Sequence, residues 1–111
     1  MTFDPFDVVA VPFPFTDRQA FKRRPALVLS SRQFNRAHDQ SVLAMITSTT
    51  GSWPSDVALE DWREAGLKLP CKVRFKLFTL DDSLIIRKIG RLSVKDTHAV
   101  RSALSRYLDF D

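Results

Sequence analysis

Two prolines set two residues apart, Pro12 and Pro14, constrain this chain more than any other feature. They sit in Phe6–Phe15, FDVVAVPFPF, where Val9, Val11, Phe13 and Phe15 alternate as in a strand. Residues two apart point their N–H groups to the same side, so both missing donors fall on one edge. That edge cannot be paired beyond Ala10, and the end of the strand is an edge, a bend or a barrel rim.

A third proline stands in Lys22–Ser30, KRRPALVLS, where three cations lead into Pro25 and then into the apolar run Ala26–Leu29. The α region is disfavoured before a proline, which keeps Arg24 extended. Proline is tolerated as the first residue of a strand. A short, wholly apolar run reads as a strand buried on both faces. A rigid, buried strand thus presents an arginine at its mouth. The segment Thr16–Lys22, TDRQAFK, reads as the loop of a long hairpin between these two strands.

The rest of the chain is read in the same way. Ser31–Gln40 is polar and predicts a loop with one helical turn. Val42–Ser48 is a third strand with Thr47 at its C-terminal end, followed by the turn-rich TTGSWPSD. Val57–Leu59 is a short strand, and Asp61–Ala65 a helical turn stopped by Gly66. Lys72–Phe78 puts Val73, Phe75 and Leu77 on one face and Lys72, Arg74 and Lys76 on the other. That cationic stripe is either a solvated outer face or a ligand-binding one. Asp81–Ser83 is a turn, and Ile85–Leu92 a strand with Gly90 at a bulge. Ser93–Asp109 is a helix, with Ser93 and Asp96 resembling a capping box. Its apolar side carries Val100, Ala103, Leu104, Tyr107 and Leu108. The expected architecture is one domain over residues 1–111, mainly β (α+β). It is a small, mostly antiparallel β-barrel or strongly bent sheet closed by a C-terminal α-helix.

The net charge of +4 favours anionic partners, whether nucleic acid, an acidic protein or a lipid surface; a mildly basic solvated surface is the plainer alternative. A single cysteine, Cys71, cannot close an internal disulfide. With His38 and His98 alone beside it, one chain cannot assemble a zinc cluster, so neither metal nor cofactor is expected. The N-terminus has no basic region leading into an apolar stretch, and no run approaches the ~20 residues of a membrane span, so a cytoplasmic location is expected. Without a Gly-rich phosphate loop or a Ser-His-Asp arrangement, any chemistry falls to Arg, Lys, Thr, Ser, Asp or a lone His. His98 and His38 read as solvated, and Cys71 as a small core residue. Trp53-Pro54 could stack on a base, fill a subunit interface or simply pack.

The order DVVAVPFPFTD, KRRPALVLSS, AMITST, KLFTLD and IGRL resembles the MazF/PemK/Kid family of bacterial toxins, from about Phe6 to Phe110. RPALVLS followed by the Thr47-Ser48 pair is the specific part. The resemblance implies a compact Src-homology-3-like (CcdB/MazF-like) barrel and a homodimer. It implies endoribonuclease activity on single-stranded RNA lying in a groove, and an acidic antitoxin whose tail covers that groove. Arg24 and Thr47 map onto the family's catalytic pair; otherwise they are a solvated loop cation and an ordinary strand threonine. Candidate RNA contacts are Lys22, Arg23, Thr16 and Ser48 around that pair, with Trp53, Arg74 and Lys76 from the loop and the stripe. Metal-free cleavage would use the ribose 2′-OH as nucleophile and leave a 2′,3′-cyclic phosphate and a 5′-OH. No general base stands out; Asp17 and Ser48 are the candidates.

Two positions depart from the family pattern. Phe6 stands where the first strand usually opens with glycine. Lys76 falls near a glutamine that contacts RNA in some members, and would add a phosphate contact there. The rival is a non-catalytic interaction protein on the same fold. It would be a CcdB-like gyrase binder, an inactive toxin that binds only RNA or antitoxin, or a basic RNA-binding barrel.

Overall fold

The computed structural model of the protein describes residues 1–13 and 22–109. In chain order the elements are β1 (Asp7–Phe13), β2 (Lys22–Val28), α1 (Arg32–His38), β3 (Gln40–Thr47), β4 (Val57–Ala58), β5 (Lys72–Asp81), β6 (Arg87–Arg91) and α2 (Val94–Leu108). A 3-10 turn at Asp82–Leu84 links β5 to β6.

Pairing along β1 is unequal on its two sides. Toward β2 the ladder runs to Phe13↔Lys22. Toward β6 it stops at Ala10↔Arg87, and the Ile86 N–H donates to the Ala10 carbonyl at 2.9 Å. Pro12 comes next on that edge with no N–H to give, so the pairing ends where the sequence requires. Pro14 and residues 16–21 of the expected hairpin loop lie outside the described residues; Lys22 belongs to β2.

Pro25 is not the first residue of its strand, because β2 pairs with β1 from Lys22 onward. Ala10 turns its carbonyl toward β6, so its partner Pro25 turns its backbone toward β3. There the missing N–H has an effect: the β2–β3 ladder begins only at Ala26↔Met45.

The strand order is β4-β5-β3-β2-β1-β6, with every pairing antiparallel. In a flat sheet β5 and β6 would lie about 19 Å apart, at ~4.8 Å per strand. The link between them, with its 3-10 turn, reaches only about 16 Å. The sheet must therefore curl into a half-barrel, with α2 against it. Both faces of the middle strands are buried. Val8, Leu27, Ala44 and Ile46 face Val100 of α2 and the segment carrying Leu59, Ala65 and Leu67. Val9, Val11, Ala26, Val28 and Leu43 face Phe3, Leu80 and Ile85. Of the apolar run Ala26–Leu29, the first three residues have no exposed surface, and Leu29, past the end of β2, is only partly buried.

Three further local expectations change. Ser31 accepts a hydrogen bond from the Phe34 N–H, and the cap extends the single turn expected near it into the seven-residue α1. On β5 the β3 register jumps from Met45↔Arg74 to Ala44↔Leu77, leaving Phe75 and Lys76 unpaired in a bulge. The strict alternation fails there. Leu77 is 41% exposed, and Phe78 and Leu80 pack inward on the opposite face. Ser93 caps α2 by accepting from the Asp96 N–H, but the Asp96 carboxylate does not complete a capping box. It is buried and accepts from the N–H groups of Glu60 and Asp61 instead. Phe6, which stands where the family pattern has glycine, has φ +69°, the left-handed region where glycine is strain-free. A side chain there costs about 1–2 kcal/mol, offset by burying the Phe6 ring in the first core.

Gly90 falls at the β1–β6 register shift, as expected of a bulge. A Cβ on it would lie 2.3 Å from the Ala65 carbonyl oxygen. Gly66, at φ +87°, ends the 61–65 turn. These two glycines let the segment after the turn fold back against β6.

Candidate functional site

The site forms where Pro25 cuts the β2–β3 ladder short. Just beyond Ala26↔Met45, where that ladder ends, lie Arg24 on β2 and Thr47 on β3. On the neighbouring ladders Val11 lies opposite Arg24 and Lys72 opposite Thr47. A cavity of about 310 Å³ opens at the break. It is lined by Arg23, Arg24 and Pro25 of β2, residues 46–48 at the end of β3, the segment around Lys68 and Cys71, and Arg87 and Ile89 of β6. Arg23, Arg24, Lys68 and Arg87 are cations, and no described lining residue is a carboxylate. Desolvated walls around like charges concentrate a positive field, which suits a phosphodiester.

The two central side chains are held differently. The Arg24 guanidinium lies 4.7 Å from the centroid of the Phe13 ring. Its Nε is the one buried side-chain polar atom among the described residues without a hydrogen-bond partner. A dry, charged donor of this kind is prepared for an oxyanion. The Thr47 hydroxyl accepts from the Thr49 N–H at 3.2 Å, which leaves its own proton to donate.

The other candidates divide into groups. Arg23 and Ser48 line the cavity with the central pair. Lys22 is exposed at the start of β2 and is not among the lining residues, and Lys76 is exposed in the β5 bulge. Thr16 and Asp17 lie outside the described residues. Arg74 and Lys72, both expected on a cationic stripe, are turned inward. Arg74 donates to both carboxylate oxygens of Asp56, at 3.1 and 2.9 Å, and to the Gly51 carbonyl. Lys72 donates to the same carbonyl and lies 3.9 Å from Asp56. The Arg74 hydrogen bonds hold the Asp56 carboxyl below the usual carboxylate range, against the opposing effect of burial. Trp53 stacks on the Arg74 guanidinium at 4.8 Å.

Lys68, Arg87 and Asp56 carried no signal in the sequence. Lys68 reaches the cavity after the Gly66 turn, for which Gly90 leaves room beside Ala65, and Arg87 reaches it through its pairing with Ala10 of β1. Cys71 lines the cavity as well as touching the core, and burial pushes its thiol pKa up. His38 and His98 are exposed, as expected.

Comparison with known proteins gives the context. The sequence matches the family described as PemK-like, MazF-like toxin of type II toxin–antitoxin systems over residues 4–108. No curated protein matches it. Among solved structures, a MazE–MazF complex from Deinococcus radiodurans aligns with TM-score 0.77 at 21% identity, covering 100% of this chain and 99% of that one. MazF alone from the same organism gives 0.75 at 24% identity, covering 99% of each chain. An endoribonuclease in complex with its cognate antitoxin, from a mycobacterial species, gives 0.77 at 17% identity, covering 99% of this chain and 96% of that one. At such identities the structural likeness speaks for the fold. The family match spans nearly all of the sequence, and the chain belongs to the PemK-like, MazF-like toxins of type II toxin–antitoxin systems.

Proposed function

We propose that this toxin is an endoribonuclease that cuts single-stranded RNA by attack of a ribose 2′-OH on the adjacent phosphate. The observation that carries this is the cavity at the ladder break: Arg24 and Thr47 meet there among Arg23, Lys68 and Arg87, with no described carboxylate in the lining. That solved proteins of the same fold are endoribonucleases supports it. An acidic antitoxin, homodimer assembly and a cytoplasmic location belong to the same proposal.

In this mechanism the substrate supplies its own nucleophile. The 2′-oxygen forms a bond to phosphorus as the bond to the 5′-oxygen breaks. The 2′-OH proton leaves to a base, and the departing 5′-oxygen takes up a proton. The products are a 2′,3′-cyclic phosphate and a 5′-OH. The protein's tasks are in-line positioning and stabilisation of the charge on the non-bridging oxygens. A guanidinium is a rigid fork of donors and a poor proton donor, so the role of Arg24 is charge stabilisation rather than proton transfer. Thr47 adds one neutral donor. Lys68, Arg23 and Arg87 hold the flanking phosphates.

The test is incubation of the purified protein with a long single-stranded RNA in EDTA, followed by mapping of the ends. The expected outcome is discrete cuts with 5′-OH ends, lost in Arg24→Ala while its circular dichroism stays native. Cleavage by Arg24→Ala at the wild-type rate would remove that residue from the mechanism. Intact RNA with tight, salt-sensitive binding would replace this proposal with a non-catalytic binder.

A further inference from the structure

Trp53 is large, aromatic and 40% exposed, yet it is held rigidly. Trp53–Asp56, WPSD, is a closed β-turn. The Asp56 N–H donates to the Trp53 carbonyl at 3.0 Å, and Pro54 takes the position where its fixed φ is favoured. The Asp56 carboxylate closes the turn a second time by accepting from the Trp53 N–H at 2.8 Å. The same carboxylate binds Arg74 in a bidentate pair, and the Arg74 guanidinium carbon lies over the indole. From the far side the Tyr107 hydroxyl of α2 reaches the Pro54 carbonyl. One small acid therefore fixes the turn, the guanidinium and the ring together.

The cost of this arrangement shows what it serves. Lys72 and Arg74 have side chains only 16% and 15% exposed, with donors committed to Asp56 and Gly51. They are spent on the loop and not offered to phosphate. In return the loop presents a preorganised aromatic plane backed by a cation. Arg74 sits opposite Met45, one strand repeat (about 7 Å) along β5 from the Lys72–Thr47 pair. A phosphate held at Thr47 would bring a neighbouring base within reach of that plane.

We infer that Trp53 is a base-stacking platform for the single-stranded RNA, with Asp56 and Arg74 as its positioning residues. This rests on the RNA reading of the site and adds a strand-gripping element to it. Stacking tolerates any base because each has a π-face, so the platform grips the strand and leaves the choice of cut site to other contacts.

The test uses Trp62→Phe protein, in which Trp53 is the only tryptophan. It is titrated with a mixed-sequence, dye-labelled oligonucleotide of 2′-deoxy chemistry, which cannot be cut by 2′-OH attack. Dye anisotropy reports binding, and indole fluorescence reports stacking. The expected result is quenching that saturates with the anisotropy. In the otherwise native chain, Trp53→Ala should weaken binding roughly 5- to 150-fold, and Trp53→Phe much less. Asp56→Asn should lose most of the quenching. Should Trp62→Phe fail to fold, the same quenching is read as the difference between native protein and Trp53→Phe. Binding without quenching, or unchanged affinity in Trp53→Ala, overturns the platform and leaves the RNA reading standing. No binding at all overturns both. Quenching that follows protein concentration instead of oligonucleotide would assign Trp53 to a subunit interface.

Discussion

Replacing Asp96 with alanine tests how the cavity-lining segment is held. The carboxylate is 1% exposed and accepts N–H bonds from Glu60 at 3.0 Å and Asp61 at 2.9 Å. Alanine leaves both donors without their partner at the start of the segment that later carries Gly66, Lys68 and Cys71. Hydrogen bonds to a charged group contribute about 1.5–3 kcal/mol each. Both of these are part-buried, so water replaces some of the loss, and the lower figure gives about 3 kcal/mol for the pair. At a urea dependence of about 2 kcal/mol per molar, the unfolding midpoint should fall by about 1.5 M. Asparagine keeps the shape but turns an NH₂ toward one of two N–H donors. It should lose about half as much or more. If Asp96 acted only as part of a helix cap, the loss would be about 1 kcal/mol or less, and the Glu60 and Asp61 amides would be indifferent to it. Urea titration checks the first quantity, and hydrogen exchange at those two amides checks the second. A midpoint shift below about 0.5 M for Asp96→Ala, with unchanged exchange at both amides, would refute the reasoning.

Three further outcomes follow from the geometry. Gly90→Ala puts a methyl 2.3 Å from the Ala65 carbonyl oxygen and 2.6 Å from its carbon, both backbone atoms. It should cost about 3 kcal/mol, at the upper end of overpacking, and calorimetry showing an unchanged melting temperature would contradict it. Asp56 has its folded-state pKa lowered by Arg74. Its stabilising contribution is therefore complete above the unfolded value of about 3.9 and is lost as pH falls through the lower folded value. Wild type should melt above Asp56→Asn at neutral pH, with the gap narrowing below about pH 4, and a gap independent of pH would rule this out. For Thr47, the serine variant should keep most of its RNA cleavage rate. The valine variant, isosteric without the donor, should lose about 10²-fold or more, and wild-type kinetics in Thr47→Val would remove the hydroxyl from the mechanism.

Local chemistry was legible in the sequence wherever one residue dictates its own neighbourhood. Pro12 ends the β1–β6 ladder at Ala10 because it has no N–H. The apolar run before Leu29 is buried because nothing in it can meet water, and Ser93 caps α2 because its hydroxyl is placed to do so. The resemblance carried by RPALVLS and the Thr47-Ser48 pair led to Arg24 and Thr47, and both line the same cavity.

Pairing between distant residues was not legible, because charge along a strand does not say which charges are already answered. Lys72, Arg74 and Lys76 look equivalent in KVRFKLF. Asp56, brought over by a two-residue strand and a proline turn, takes up two of them and turns part of a cationic stripe into the support of an indole. A bulge sets the third apart. In the same way Lys68 becomes a cavity residue because Gly66 takes a left-handed turn and Gly90 has no side chain to keep Ala65 away, and Arg87 because β6 pairs with β1 at Ala10. The sequence by itself determined where most strands lie and the break that Pro12 makes, and the family resemblance singled out Arg24 and Thr47. Only the tertiary structure decided which cations remain free to meet an anion, since that depends on where the few acids come to rest.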